Sequence, residues 1–216
     1  MIKDYKMKIH DISLEISEDM AVYKDNPNKK PVITITRTIK DGSNESKISL
    51  ESHTGTHADA PYHMIQSGKR IDELALNSFI GKCIVLDFTK IKKTEDSIKE
   101  SDLKNKKIKK NDIVLLKTKT KIENKFDYNY VYLGKSGASY LASKKIKAVG
   151  IDSLGIERSQ TEHDTHKILF ESNISIVEGL NLTKIKQGRY FFIGLPLKIK
   201  NGDASPIRAV LLDNIS

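Results

Sequence analysis

Short apolar runs with polar edges recur along the chain and predict more strands than helices. Alternation of apolar and polar residues in KMKIHDISLEI and VITITRTI is typical of strands, and SKISLES predicts another. Four short apolar runs predict buried strands: CIVLDF, NDIVLLKT, KAVGID and ISIVEGL. Near the end, RYFFIGLPLKI and SPIRAVLLD predict two strands around the turn signal Asn201-Gly202.

The same pattern of apolar and polar residues predicts few helices. Ser136 is a candidate N-cap of a helix that runs to about Lys145 and buries Leu141, and a short helix is predicted from His166 to Glu171. The pattern is that of a strand-rich α/β chain without the GxGxxG or P-loop motif of phosphate-binding folds. A length of 216 residues fits one domain, residues 1–216.

The net charge of +9 raises the question of a nucleic-acid partner. Residues 90–110 hold nine lysines and four acidic residues, with no arginine and no aromatic side chain. A nucleic-acid surface usually combines lysine with arginine and stacking rings, so this run is expected to be a solvated surface. We therefore expect no nucleic-acid partner.

The sequence also bears on the compartment. Cys83 is the one cysteine, so it can form no intrachain disulfide, and a reducing cytoplasm is expected. It is predicted to fill core space. The first residues lack the apolar segment of a secretory signal. No apolar run reaches the roughly 18 residues of a membrane span, so no membrane partner is expected.

Candidate chemistry is concentrated in HTGTHADAPYH, residues 53–63, which contains three of the six histidines and an aspartate. Gly55 and Pro61 make a helix improbable here, and an irregular loop is predicted. Such a loop can turn His53, His57 and Asp59 toward one point. Imidazole and carboxylate together suit Zn, Mn or Fe(II), and three protein ligands leave coordination positions open, as catalytic metal sites do.

Further ligands are expected from distant parts of the chain. EHDTHKILF contains His163 and His166, and Glu178 ends the apolar strand in SIVEGL. A carboxylate at the end of a buried strand needs a partner because an unpaired buried charge is costly. A metal would serve as that partner; the alternative is an exposed strand end.

HTGTHADAPYH resembles the signature of the metal-dependent cyclase family, which includes bacterial kynurenine formamidases (arylformamidases) and the similar isatin hydrolases. IHDISLEI, KAVGIDSLGIE and GDASPIRAVLL resemble its opening, central and closing segments. The resemblance implies a swivelling β/β/α fold, usually a dimer or larger oligomer. It also implies a pair of zinc ions in each subunit, with manganese as the alternative metal.

The resemblance implies a role for each residue of the cluster. His53, His57 and Asp59 would bind one metal, with Asp59 bridging to a second, and His63 would act as proton donor and acceptor. His166 and Glu178 would be further ligands, because they have the twelve-residue separation of the family's later histidine and bridging glutamate.

The resemblance leaves alternative roles open for two residues, His163 and Tyr23. His163 is interpreted as a surface residue or a neighbour of the ligands. AVYKDNP stands where the formamidases carry a Trp-Pro-Gly-Asp-like stretch, so Tyr23 falls at the position of a substrate-contacting aromatic residue. Tyr23 is therefore predicted to bind a small aromatic amide; a half-exposed loop aromatic is the alternative.

The implied activity is metal-dependent hydrolysis of N-formyl-L-kynurenine to L-kynurenine and formate. The metal ions would activate water for attack on the carbonyl, and His63 would pass a proton to the leaving nitrogen. Opening of a cyclic amide or lactone, as isatin hydrolases perform, is the alternative within enzymes. A non-catalytic metal-containing binding protein is the alternative from another class.

Overall fold

The computed structural model describes residues 7–91, 97–158 and 160–213. Residues 92–96 of the lysine-rich run, together with the first six residues, lie outside the described part. In the described part, a mixed sheet of nine strands is the main feature.

The strands of the described residues are β1 (Ile9–Asp11), β2 (Val32–Arg37), β3 (Glu45–Ser49), β4 (His57–Asp59), β5 (Ile80–Asp87), β6 (Ser97–Ile98), β7 (Ile113–Lys117), β8 (Tyr132–Leu133), β9 (Ala148–Ile151), β10 (Ser175–Glu178), β11 (Gly188–Ile193), β12 (Ala204–Pro206) and β13 (Val210–Leu212). The α-helices are α1 (Glu100–Leu103), α2 (Lys135–Ser143) and α3 (Asp164–Glu171). Single 3-10 turns occupy Tyr23–Asp25, Pro27–Lys29, Ile39–Asp41, Pro61–His63, Ile71–Glu73 and Leu76–Phe79.

The nine-stranded sheet has the order β1-β13-β11-β5-β7-β9-β10-β4-β12. The four strands β5, β7, β9 and β10 are parallel, and their other neighbours are antiparallel. Every residue of β7, β9 and β10 is buried. Continuous burial explains why these strands appear in the sequence as unbroken apolar runs, since both sheet faces are covered.

The two faces of the sheet carry separate apolar clusters. On one face, Leu116 and Ile176 pack with Leu141 of α2 and Leu169 of α3. On the other face, Cys83, Val85 and Leu115 of the central strands share a cluster with Ala58 of β4 and Leu211 of β13.

The sheet is curled, as shown by contacts between residues that follow its edge strand β1 and residues that follow β10. Ser13, just after the edge strand β1, forms an antiparallel bridge with Leu180, just after β10. The Asn181 amide also donates to the Ile12 carbonyl at 2.8 Å. The strand-rich α/β architecture expected from the sequence is confirmed.

The antiparallel hairpin of β2 and β3 forms a separate two-stranded sheet whose side chains are exposed throughout. The β-branched alternation of VITITRTI predicts β2, SKISLES predicts β3, and both predictions are confirmed. Exposed apolar side chains on it include Val32, Ile35 and Ile48.

Some local predictions are wrong in detail. Helix α2 has Gly134 at its N-cap, so Ser136 lies inside the helix, where its hydroxyl oxygen accepts a hydrogen bond from the Glu100 amide. The predicted irregular loop after β3 contains the three-residue strand β4 and then a 3-10 turn. Of the helices in the described residues, none is both long and apolar enough to cross a membrane.

Candidate metal centre

The pairing of β4 with β10 places chemical groups from two distant segments on one sheet face. His57 and Asp59 are two residues apart on β4, so their side chains point to the same face. Glu178 is the residue directly opposite His57 across the antiparallel pair, and cross-strand neighbours share a face. The three side chains therefore converge by strand geometry.

Two glycines allow these segments to approach closely. Gly55 has a φ of 64° and Gly179 a φ of 66°, in the left-handed region that favours glycine. A Cβ at Gly179 would lie 2.2 Å from the Gly55 carbonyl oxygen, which no side chain could tolerate. The Thr56 hydroxyl donates to the Gly179 carbonyl and ties the two turns together.

A first group of candidate ligands consists of His53, His57 and Asp59. The Asp59 Oδ1 atom lies 2.9 Å from His53 Nδ1 and 3.4 Å from His57 Nε2. His57 and Asp59 are buried, whereas His53 is partly exposed toward the cavity described below.

A second group consists of Asp59, His166 and Glu178. His166, on α3, has its Nε2 atom 3.7 Å from Asp59 Oδ2 and 3.6 Å from Glu178 Oε1. All three residues are buried. Asp59 belongs to both groups and directs one oxygen toward each.

The donor set fits divalent metal ions. Both Asp59 oxygens and His57 Nε2 are buried without a hydrogen bond of acceptable geometry, and buried polar atoms normally have partners. Two ligand atoms at metal-binding distance from one tetrahedral ion lie roughly 3.4 Å apart. The separation of 3.4 Å between His57 and Asp59 in the first group is close to that spacing, as are the separations of 3.7 and 3.6 Å from His166 to Asp59 and Glu178 in the second.

The metal-free cluster is held by opposite charges. Burial disfavours the charged form of His57, but Asp59 and Glu178 outweigh burial and raise the His57 pKa to about 10. Burial and the charge of Asp59 oppose ionisation of Glu178, but His166 and His57 lower the Glu178 pKa to about 2. Protonated histidine therefore supplies the positive charge that a bound metal ion would otherwise provide.

Each ligand histidine has an oxygen close to its other ring nitrogen, and for His57 and His53 that contact is a hydrogen bond. His57 Nδ1 lies 2.9 Å from the Gly55 carbonyl oxygen. His53 Nε2 lies 3.1 Å from Asp203 Oδ2, and His166 Nδ1 lies 3.1 Å from Glu157 Oε1. Such partners fix which nitrogen faces a metal.

His63 lies beside the cluster without entering the two ligand groups. It ends the 3-10 turn Pro61–His63, its ring centroid is 4.1 Å from that of His53, and its Nδ1 is 4.0 Å from Asp203 Oδ2. Burial and the neighbouring imidazoles of His53 and His166 lower the His63 pKa. A neutral imidazole at neutral pH can accept a proton.

A cavity of about 300 Å³ opens beside the cluster. Its wall contains His63, the apolar side chains of Val22, Met64 and Leu154, and Tyr23. The Tyr23 ring packs edge-on against the Phe126 ring at 5.1 Å between centroids. The wall therefore offers aromatic and apolar surface next to the candidate ligands.

The structure brings His53, His57, Asp59, His166 and Glu178 together, with His63 adjacent and Tyr23 on the cavity wall. The interpretation of His163 as a neighbour of the ligands also agrees with the structure. It is half exposed at the start of α3, and its Nδ1 lies 2.5 Å from Glu157 Oε1, the oxygen that also faces His166.

Two carboxylates of the site are missed by the sequence analysis. Glu157 lies in a loop after β9, and Asp203 lies beside the Asn201-Gly202 turn, where acidic residues are ordinary. The Ser52 hydroxyl donates to Asp203 Oδ1 at 2.9 Å. Only the burial of Glu157 after folding distinguishes it from a surface acid.

Comparisons with known proteins extend this description. A family model described as "Putative cyclase" matches residues 10–158. The kynurenine formamidase of Salinibacter ruber is 32% identical over 211 residues, which cover 96% of this chain and 98% of that protein.

Solved structures share the fold. A structure described as a potential metal-dependent hydrolase with cyclase activity is 41% identical, with a TM-score of 0.88, and the match covers 97% of this chain and all of that one. Isatin hydrolase A from Labrenzia aggregata is 22% identical with a TM-score of 0.82, and the match covers 95% of this chain and 93% of that one. This second likeness concerns the fold alone.

Proposed function

The chain belongs to the cyclase family, and from that membership we propose that it is a metal-dependent amide hydrolase acting on aryl formamides. The proposed reaction converts N-formyl-L-kynurenine and water to L-kynurenine and formate. The observation that carries this proposal is Asp59, whose two buried oxygens face two ligand groups beside an open cavity.

We assign His53, His57 and Asp59 to one metal ion and Asp59, His166 and Glu178 to a second. Zinc suits this mixture of imidazole and carboxylate, with manganese as the alternative. When bound, the ions polarise the amide carbonyl and make water more acidic. Glu157 and Asp203 hold His166 and His53 with the ligating nitrogen toward the site.

His63 moves the proton in this proposal. Its Nδ1 faces Asp203, so Nε2 is the nitrogen available to the substrate. A neutral His63 accepts a proton from the attacking water and returns it to the aniline nitrogen as the C–N bond breaks. The water oxygen and its second hydrogen remain on the formyl carbon as formic acid, which becomes formate by releasing that proton to solvent, so the proton count balances.

Tyr23 and the apolar wall bind the aryl group. Because Tyr23 is packed against Phe126, its ring is held in place and can present one face or edge to an aromatic substrate. Val22, Met64 and Leu154 exclude water around that ring. This wall favours an aryl formamide over a small aliphatic amide.

Elemental analysis of the purified protein, followed by an ultraviolet assay, tests the proposal. We expect about two zinc ions per chain and turnover of N-formyl-L-kynurenine that a chelator abolishes and zinc restores. Isatin is assayed alongside as a cyclic amide. Turnover of isatin alone would replace the formamidase proposal, and a metal-free protein without either activity would overturn it.

We further propose a homodimer in the cytoplasm. The exposed apolar side chains of the β2–β3 hairpin, including Val32, Ile35 and Ile48, support self-association. The single, fully buried Cys83 supports a compartment without disulfides. Light scattering after gel filtration, with Ile35→Lys as the comparison, tests the assembly.

A further inference from the structure

An ion pair stands in the wall of the same cavity, apart from the candidate metal ligands. The Lys29 ammonium lies 2.6 Å from Glu51 Oε2, and both residues line the cavity with His63 and Tyr23. Their side chains are 34% and 46% exposed. Exposed ion pairs contribute little to stability, so stability gives little reason for this pair's position.

Of the charged side chains that line the cavity, Lys29 and Glu51 are available to a ligand. Among the described residues lining the cavity, Lys29 is the one lysine or arginine. The other lining carboxylates, Glu157 and Glu178, are buried and face the histidines. Glu51, by contrast, is paired with Lys29.

The backbone fixes both partners. Lys29 ends the 3-10 turn Pro27–Lys29, which the Asn26 side chain caps by accepting from the Asn28 amide. The Lys29 amide also donates to the Asn26 carbonyl. The Glu51 carbonyl accepts from the Thr54 amide next to His53. The backbone is therefore held at both residues, and the 2.6 Å contact of the side chains places opposite charges side by side for a ligand that carries both signs.

We propose that Lys29 and Glu51 form a subsite for the zwitterionic head of an aryl α-amino acid. Lys29 binds the α-carboxylate, Glu51 binds the α-ammonium group, and the aryl ring lies along Val22 and Tyr23 with its formamide toward His63. This inference rests on the proposed function and makes it specific, because formanilide and isatin have no such head group.

Alternating charges explain why the pair would accept this ligand. Inserted beside Lys29 and Glu51, the ammonium and carboxylate of the ligand give each charge an opposite neighbour. Hydrogen bonds between ionised groups are roughly twice as strong as neutral ones. A ligand with only one of the two charges would give an additional opposite neighbour to Lys29 or to Glu51, but not to both.

The test compares two formamides on the metal-loaded, full-length protein. N-formyl-L-kynurenine carries the head group and formanilide lacks it, although the bond that breaks is of the same kind. For Lys29→Met and Glu51→Gln, we expect the ratio of kcat/KM for N-formyl-L-kynurenine to that for formanilide to fall about tenfold or more, mainly through KM.

A matched control is present on the neighbouring hairpin. Arg37 and Glu45 form an ion pair at 2.9 Å with similar exposure, outside the cavity. Arg37→Met and Glu45→Gln should leave the ratio as in the wild type. If the Lys29 and Glu51 variants lose kcat/KM equally for both formamides, the pair only holds together the two ends of the β2–β3 hairpin. If kcat/KM is unchanged for both formamides, the pair is an ordinary surface ion pair. Either result overturns the subsite.

Binding separates this inference from the proposed function. L-kynurenine keeps the head group, and 2-aminoacetophenone has the same aryl ketone without it. Lys29→Met should weaken calorimetric binding of L-kynurenine about tenfold or more relative to 2-aminoacetophenone. If the protein hydrolyses neither formamide, the proposed function fails, and the subsite stands or falls on this binding difference.

Discussion

Glu178 lies directly opposite His57 in the antiparallel pairing of β10 with β4, and Glu178 Oε2 is 3.5 Å from His57 Nε2. Side chains of directly opposite residues share a sheet face, and a shift of one residue sends one of them to the other face. The register of this single strand pair therefore decides whether the two ligand groups can share a site.

Asp59→Asn should lose metal and activity together. The substitution keeps the side-chain shape but removes the negative charge that both ligand groups share. We expect the metal content to fall by about tenfold or more, measured by elemental analysis. Asp11→Asn, at the edge of the sheet beside Arg208, is the control with normal content. Normal metal content in Asp59→Asn would refute the bridging role.

His63→Ala should keep its metal and lose turnover by about 10²- to 10⁴-fold, the usual contribution of a positioned acid or base. His63 belongs to neither of the two groups that share Asp59, although it lies close enough to His53 and Asp203 to form a further group of candidate ligands with them. Metal content and kcat are measured on the same preparation. Loss of metal in this variant would reassign His63 as a ligand.

Glu157→Gln should weaken metal binding by about 10- to 100-fold. The carboxylate faces His166 Nδ1 at 3.1 Å, and without its charge the ring is held less firmly with Nε2 toward Asp59. Competition with a coloured zinc chelator measures the affinity. Glu171→Gln, at the C-terminal end of α3, is the control. Equal chelator curves for Glu157→Gln and the wild type would contradict this prediction.

Tyr23→Ala should raise KM for the aryl formamide about 2- to 10-fold, the range of an aromatic pair, with a smaller effect on kcat. Tyr128→Ala is the matched control, because Tyr128 packs on the same Phe126 ring but does not line the cavity beside the metal ligands. Equal kinetic constants for Tyr23→Ala and Tyr128→Ala would favour a loop aromatic without contact to substrate.

The metal-free protein should be most stable between about pH 4.5 and 6.5. The pKa of Glu178 is lowered to about 2, so its stabilisation is present above its ordinary pKa and is lost as pH falls toward 2. The pKa of His57 is raised to about 10, so its stabilisation is complete below its ordinary pKa and is lost as pH rises toward 10.

Thermal unfolding in the presence of a chelator, across that pH range, measures this effect as Tm. His57→Gln should flatten the alkaline decline, whereas His10→Gln, at the opposite side of the sheet, should retain it. An alkaline decline of equal slope in His57→Gln and the wild type would show that His57 is not its source.

The sequence by itself determined the types of ligand and most of the elements. Three histidines and an aspartate within residues 53–63 indicate a metal site because their chemistry is local and their spacing short. Strands such as β7 and β10 follow from unbroken apolar runs, whose burial requires cover on both faces. The resemblance of these segments to the cyclase family is likewise visible in the sequence alone.

Only the tertiary structure decided the partners. The pairing of Glu178 with His57, the approach of Gly179 to Gly55, and the positions of Glu157 and Asp203 join segments far apart in the chain. Local patterns predict that a strand exists, but its register and neighbours depend on how the whole core packs. An acidic residue in a turn therefore acquires its role only when folding places an imidazole beside it.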